Sequence, residues 1–200
     1  MHNDSVDFVV KSIQKTPLVN LNGLIYQEYQ DFFDDLWLEK LKIELEKLEL
    51  TTLEKQEHKP RKKLSYQSIL AKELKILFSH KKITAALEEI FGLKLKVSSC
   101  DIWQDSKDYF LLPHIDDTRI KLAQQIYIGE SSASGTKFFS SKINEIIKKD
   151  VWKQEYLQYQ VKEIRYKKNH GYCLLNTENS WHGVQPNTSD NRLSVYVRYN

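Results

Sequence analysis

The spacing of apolar residues changes at Gly92, and this change constrains the fold more than any other feature of the chain. Between residues 28 and 92, apolar side chains recur at the three- to four-residue spacing of amphipathic helices. The stretch from Thr51 to Leu64 is polar and lysine-rich and contains Pro60, so it predicts a linking loop. Gly92 is a suitable helix stop. After it, the apolar runs shorten to strand length.

Short apolar runs separated by turn residues are typical of a sandwich, barrel or jelly roll. A charged stretch at about 140–160 interrupts them and predicts a helical insertion. We therefore expect a single domain over residues 1–200, mainly β with supporting helices (α+β). Residues 1–92 would be mainly helical support, and residues 93–200 would form the β core. The predicted strands are Leu93–Val97, Tyr109–Ile115, Leu122–Ile128, Thr136–Phe139, Val161–Tyr166, Tyr172–Leu175 and Leu193–Tyr199.

Composition excludes several classes of protein. A hydrophobic share of 40% argues against wholesale disorder, and a net charge of only +3 argues against a histone-like nucleic-acid binder. The basic run Lys59–Lys63 is interpreted as a solvated loop. Two cysteines, Cys100 and Cys173, make no disulfide framework. The chain start lacks signal-peptide features and no apolar run approaches the roughly 18 residues of a membrane span, so we expect a soluble, reducing, cytoplasmic setting without membrane contact.

A histidine and an aspartate two residues apart form the first candidate site. Alternate residues of a strand face the same side, so His114 and Asp116 would point together while Ile115 points into packing. Two ligands of one metal ion need this geometry. The pair is also compatible with a surface histidine and a turn-capping aspartate.

Two further candidates lie near the end of the chain. His182 occupies a turn-like segment after an apolar strand, where it is either a third ligand or a loop histidine beside a structural tryptophan. Ten residues later, alternation places Arg192, Ser194, Tyr196 and Arg198 on one face and apolar residues on the other. A buried arginine needs an anionic partner, which a small dicarboxylate would supply with help from the Ser194 hydroxyl. An amphipathic strand with an exposed arginine is the alternative.

Taken in order, these motifs resemble the Fe(II)- and 2-oxoglutarate-dependent dioxygenases, most closely the prolyl 4-hydroxylase-like branch. The resemblance covers roughly residues 95 to 199. It rests on Pro113-His114-Ile115-Asp116, Ile126-Tyr127-Ile128, Gly135-Thr136-Lys137-Phe138-Phe139, residues 176–184 with His182, and Arg192-Leu193-Ser194.

The resemblance implies a double-stranded β-helix, or jelly-roll, core with the amino-terminal helices packed on one sheet. It implies that His114, Asp116 and His182 bind Fe(II) and act in catalysis. Arg192 would bind the distal carboxylate of 2-oxoglutarate, with Ser194 beside it and Tyr127 as a further candidate contact. O2 would be the other co-substrate and ascorbate a reductant.

Because the carboxylate of Asp116 is present, the resemblance implies hydroxylation rather than halogenation. The substrate would be a peptide side chain, an amino acid or a small metabolite. We expect the insertion at about 140–160, the Trp103 to Phe110 loop and the helical half to shape specificity.

Two other functions remain open. Arg192 and Arg198 have the R-x5-R spacing of AlkB-like nucleic-acid demethylases, and the basic run could contact phosphates. Against this, the stretch from Asp101 to Gln104 lacks the Asn-x-Tyr element of that branch. A catalytically silent jelly-roll binding module is the third possibility, although intact ligands and an intact arginine argue against it.

Overall fold

The computed structural model describes residues 3–46, 51–52, 61–64, 68–130, 132–148, 151–186 and 191–200. Within these residues, two sheets of antiparallel strands are accompanied by helices that come mainly from the first half of the chain. The helices are α1 (Asn3–Lys15), α2 (Asp35–Glu46), α3 (Ile69–Phe78), α4 (Lys81–Phe91) and two short 3-10 helices, Ser141–Glu145 and Gln154–Tyr159.

The strands divide between an eight-stranded and a four-stranded sheet. The large sheet has the order β1-β2-β10-β7-β12-β5-β4-β3, and the small sheet has the order β6-β11-β8-β9. The strands are β1 (Val19–Leu21), β2 (Leu24–Tyr29), β3 (Thr51–Thr52), β4 (Arg61–Lys63), β5 (Val97–Asp105), β6 (Leu111–His114), β7 (Leu122–Tyr127), β8 (Thr136–Phe139), β9 (Gln160–Ile164), β10 (Gly171–Leu175), β11 (His182–Val184) and β12 (Arg192–Tyr199).

Helices α3 and α4 begin and end where their sequence signals lie. The Ser68 hydroxyl accepts a hydrogen bond from the backbone N–H of Ala71, which caps the start of α3. His80 separates the two helices and caps α4. Gly92 then ends α4 in the left-handed conformation, with φ of 67°. The predicted helix stop at Gly92 is confirmed.

The large sheet has an apolar face and a polar face. Val195, Val197 and Tyr199 of β12 belong to one buried cluster that also contains side chains of all four α-helices. Arg192 and Ser194 occupy alternate positions of the same strand and are buried on the opposite face. The alternation predicted for β12 is therefore confirmed.

A second apolar cluster joins the two sheets. Tyr26, Tyr127 and Tyr172 of the large sheet pack with Phe138 and Ile164 of the small sheet. The Phe138 ring lies 5.2 Å from the ring of Tyr26 and 5.3 Å from that of Tyr172, both edge to face. The polar face of β12 thus opens toward the space beside this cluster, where the site lies.

The first half of the chain contains strands as well as helices, and two predictions about it are wrong. The hairpin of β1 and β2, whose β2 pairs with β10, was not predicted. The predicted loop from Thr51 to Leu64 contains β3 and β4, and β4 pairs with β5. Lys59 and Pro60 of the basic run lie outside the described residues, whereas Arg61–Lys63 form β4.

Predictions in the second half need smaller corrections. The strand predicted over Leu93–Val97 begins only at Val97, and it continues to Asp105 through part of the predicted Trp103 to Phe110 loop. The described residues of the insertion at 140–160 contain two 3-10 helices, so this part is helical as predicted. Its residues Ile143 and Tyr156 form a separate apolar cluster with Phe139. Among the described residues, no helix has the length and apolar character needed to cross a bilayer.

Candidate metal centre

Three side chains from separate parts of the sequence converge at one point. His114 ends β6, Asp116 follows two residues later, and His182 begins β11 directly opposite His114 in the register of the small sheet. One potential ligand atom from each lies within 4.8 Å of the others. His182 is therefore part of a strand and not of the turn-like segment predicted for it. The predicted metal-binding set is brought together.

Hydrogen bonds to backbone carbonyls orient both imidazoles. Nδ1 of His114 lies 3.0 Å from the carbonyl oxygen of Leu112, and Nδ1 of His182 lies 2.9 Å from that of Ser180. A carbonyl oxygen can only accept, so Nδ1 of each ring carries a proton, and in the neutral ring the lone pair is then on Nε2. The Nε2 atoms are 3.6 and 3.9 Å from the Asp116 carboxylate oxygens. The carbonyls of Leu112 and Ser180 act as outer supports of the ligands, a role that sequence analysis could not assign.

The local electrostatics favour a neutral imidazole beside an ionised carboxylate. Burial, and then the neighbouring His114, lower the pKa of His182 to about 4. Burial alone would raise the pKa of Asp116, but the nearby imidazoles of His114 and His182 and the hydrogen bond from the Tyr196 hydroxyl together hold it well below its usual range. Both groups are therefore in the protonation state that binds a metal ion at neutral pH.

Tyr196 supports Asp116 from β12. Its hydroxyl donates to Oδ2 of Asp116 across 3.2 Å. Sequence alternation placed Tyr196 on the same face as Arg192, but it gave no indication of this bond. The strand that carries the predicted co-substrate anchor therefore also holds the predicted metal-binding carboxylate.

A cavity of about 150 Å³ connects the three converging residues with Arg192. Arg192 is 1% exposed, and its Nε and Nη1 have no hydrogen-bond partner among the described residues. The nearest carboxylate oxygen is Oδ2 of Asp105, 3.9 Å from Nη1. Because leaving buried donors of a charged group unpaired is costly, this guanidinium is suited to bind an anion.

Polar side chains between Arg192 and the metal-binding candidates form one hydrogen-bonded network. Ser194 accepts from Nε2 of Gln125 at 2.9 Å, and Oε1 of Gln125 accepts from Tyr172 at 3.0 Å and from Thr136 at 3.3 Å. Gln125, Thr136 and Tyr172 line the cavity. These three residues were not predicted as part of the site.

Tyr127 is buried behind the residues that line the cavity and is not one of them. Its hydroxyl donates to Oγ1 of Thr136 at 2.8 Å and accepts from the Thr136 backbone N–H at 2.9 Å. Its ring centroid is 5.6 Å from the guanidinium carbon of Arg192. The aromatic face supports the cation. A direct contact of Tyr127 with a carboxylate stays a prediction.

The side chains that line this cavity suit two bound groups, a divalent transition metal and a dicarboxylate. Two neutral imidazoles and one carboxylate are the facial set that suits non-haem Fe(II). The unpaired donors of Arg192 suit a carboxylate at the other end of the cavity. None of the described residues of the 140–160 insertion lines this cavity, so nothing here supports the expectation that the insertion shapes specificity.

Comparison with solved structures identifies the fold. A prolyl-4-hydroxylase from Pseudomonas putida is 13% identical, with a TM-score of 0.60 and coverage of 98% of both chains. A 2OG-Fe(II) oxygenase family oxidoreductase from Burkholderia pseudomallei is 12% identical, with a TM-score of 0.60, covering 98% of this chain and 89% of that one.

A third structure, HygX from Streptomyces hygroscopicus with nickel and 2-oxoglutarate bound, is 12% identical, with a TM-score of 0.62, covering 88% of this chain and 82% of that one. No family model and no curated protein matches the sequence. The chain therefore has the fold of 2OG-Fe(II) oxygenases, and the resemblance inferred from its motifs is confirmed at the level of the fold.

Proposed function

We propose that this protein is a non-haem Fe(II)- and 2-oxoglutarate-dependent oxygenase. One observation carries the proposal: His114, Asp116 and His182 converge at one end of a cavity whose other part holds the buried, incompletely paired guanidinium of Arg192. Metal-binding and carboxylate-binding groups in one cavity are what this chemistry needs. The fold shared with 2OG-Fe(II) oxygenases supports the same conclusion.

Each residue has a distinct role in this proposal. Nε2 of His114, Nε2 of His182 and a carboxylate oxygen of Asp116 would hold the iron, and Tyr196 would keep that carboxylate in place. Arg192 would bind the distal carboxylate of 2-oxoglutarate, with Ser194 and Gln125 beside it. Iron bound there would supply oxidation of a C–H bond, coupled to decarboxylation of 2-oxoglutarate to succinate with O2 as oxidant.

The architecture and the reaction class follow from the same proposal. The two sheets would form a double-stranded β-helix within one domain, with the helices covering the large sheet. Since Asp116 supplies a carboxylate, hydroxylation is favoured over halogenation. A peptide side chain, an amino acid or a small metabolite is the proposed substrate, in line with a prolyl-4-hydroxylase and HygX among the proteins of similar fold.

The test is turnover of 2-oxoglutarate by the purified protein with Fe(II) and ascorbate. Slow release of succinate is expected even without substrate. His114→Ala and Asp116→Ala should abolish it, because each removes a ligand. Asp117→Ala is the matched control, since Asp117 is the neighbouring carboxylate and pairs with Arg119. Turnover that survives both ligand changes would refute the site assignment.

The AlkB-like alternative has one supporting observation, which is that Arg198 lines the cavity together with Arg192. It requires binding of single-stranded DNA that weakens steeply with salt. Absence of binding at low salt removes it. The silent-module alternative is excluded by any turnover of 2-oxoglutarate that depends on His182.

A further inference from the structure

Three charged residues form one row across three neighbouring strands. Arg192 of β12 lies opposite Asp105 of β5, and Asp105 lies opposite Arg61 of β4. Residues paired in this way share a face of the sheet. Arg61 and Asp105 therefore face the same cavity as Arg192, and all three line it.

Asp105 is shared unequally between the two arginines. Its Oδ1 accepts a hydrogen bond from Nε of Arg61 at 2.6 Å, whereas its Oδ2 is 3.9 Å from Nη1 of Arg192. The Asp105 side chain is 1% exposed, so little water screens these charges. Arg61 thus holds the carboxylate at close range, and Arg192 keeps its Nε and Nη1 without hydrogen-bond partners.

Aromatic rings hold Arg61 in this position. Its guanidinium carbon lies 4.2 Å from the ring centroid of Trp103 and 4.7 Å from that of Tyr109. Arginine stacks well on aromatic faces and remains charged there. Burial opposes the charge, but Asp105 and Tyr109 outweigh it and raise the pKa of Arg61. The cation that holds Asp105 is therefore itself fixed.

The Asp105 carboxylate and the carboxylate of a bound dicarboxylate would compete for the same donors of Arg192. A carboxylate 3.9 Å away would pair fully with Arg192 if nothing else held it, and it would then occupy the donors that a dicarboxylate needs. We propose that Arg61 is a positioning residue: it holds Asp105 away from Arg192 and so keeps that guanidinium available to the co-substrate. This inference rests on the proposed function.

The experiment measures binding of 2-oxoglutarate to the 200-residue chain loaded with Mn(II), by isothermal titration calorimetry. Arg61→Met keeps the aliphatic stem but removes the charge, so the Kd for 2-oxoglutarate should rise about tenfold or more as Asp105 turns to Arg192. Asp105→Asn should bind at least as tightly as wild type. Lys62→Met is the matched control, because it removes an exposed cation from the same strand and should leave Kd unchanged.

The double variant decides between the possible roles of Arg61. Once Asp105→Asn has removed the carboxylate that competes for Arg192, the further change Arg61→Met should have little effect. The Kd of the double variant for 2-oxoglutarate should then be within about twofold of the Asp105→Asn value. If Arg61 instead bound the co-substrate itself, the double variant would stay as weak as Arg61→Met. That result, or an unchanged Kd in Arg61→Met, overturns the inference.

Two comparisons separate this result from a folding defect and from failure of the proposed function. A defect in folding lowers the thermal unfolding midpoint and the number of binding sites without changing Kd, and Asp105→Asn would not rescue it. Wild-type protein that binds Mn(II) but not 2-oxoglutarate contradicts the proposed function. Wild-type binding with no coupling between positions 61 and 105 contradicts only the role of Arg61.

Discussion

The hydroxyl of Tyr196 donates to Oδ2 of Asp116 across 3.2 Å and thereby links β12 to the segment after β6. The same strand carries Arg192 four residues earlier. One strand therefore carries both the candidate co-substrate anchor and a hydrogen-bond partner of the candidate metal-binding carboxylate. A change in β12 can reach both the candidate metal ligands and the candidate co-substrate anchor.

Removal of the Tyr196 hydroxyl should weaken metal binding. In Tyr196→Phe, Asp116 loses a donor that orients its carboxylate, and such outer contacts typically contribute about 10- to 100-fold in metal affinity. Titration of the metal-free protein with Mn(II) measures the effect. Tyr199→Phe is the control, because Tyr199 lies on the opposite face of β12 and its hydroxyl donates to Gln124 of β7. Equal affinities in the two variants would contradict the supporting role of Tyr196.

Removal of the Arg192 charge should act on the co-substrate and leave the metal in place. Arg192→Met is expected to raise the KM for 2-oxoglutarate by about 100-fold, since a paired guanidinium–carboxylate contact contributes several kcal/mol when buried. Mn(II) affinity should stay near the wild-type value. Arg165→Met, at an exposed arginine, is the control and should change neither. A loss of Mn(II) affinity equal to the loss of 2-oxoglutarate binding would show that Arg192 acts on the fold.

The lowered pKa of His182 predicts that the metal-free protein loses stability in mild acid. The ordinary pKa of histidine is 6.5 and that of folded His182 is about 4, so between these values the unfolded chain binds a proton that the folded chain does not. The free energy of unfolding should therefore fall as the pH drops from about 6.5 to 4, by on the order of 3 kcal/mol from this group.

Urea denaturation of the metal-free protein across this pH range checks the expectation. His182→Gln has no titrating group at this position, so its stability should fall less than that of wild type over the same range. The lowered pKa of Asp116 acts in the same direction but only at lower pH, because its ordinary value is 3.8. Parallel curves for wild type and His182→Gln would contradict the prediction.

Features that depend on local sequence could be predicted. The two faces of β12 follow from simple alternation, and Ser68, His80 and Gly92 mark helix ends through local backbone chemistry. The convergence of His114, Asp116 and His182 was predicted only through motif order, because residues 66 or more positions apart meet through sheet register. No local pattern specifies that register.

The errors have physical reasons. Asn22-Gly23, with φ of 53° and 87°, is a two-residue hairpin turn whose Asn-Gly signal is present in the sequence but was not used. Strand β4 is short, polar and basic, so neither hydrophobicity nor alternation reveals it. It becomes a strand by pairing with β5, and its Arg61 reaches a partner 44 residues away. Such tertiary pairings override local propensity.

The hairpin turn should be less tolerant of a side chain than the helix stop. Gly23 and Gly92 both have positive φ, so alanine strains the backbone at either position by about 1 kcal/mol. A β-carbon at Gly92 would meet no atom within 4 Å, whereas one at Gly23 would lie 2.6 Å from Nδ2 of Asn179. Gly23→Ala should therefore lower the free energy of unfolding more than Gly92→Ala, by roughly a further 1 kcal/mol.

Asn179 precedes His182 by three residues, so displacement of its side chain should also disturb the approach to β11. Gly23→Ala is then expected to weaken Mn(II) binding several-fold, while Gly92→Ala leaves it unchanged because α4 ends on the far side of the large sheet from the cavity. Urea denaturation and Mn(II) titration of both variants measure the two effects. Equal losses of stability, with equal metal affinity, would show that Asn179 moves aside freely and that the hairpin does not support the metal centre.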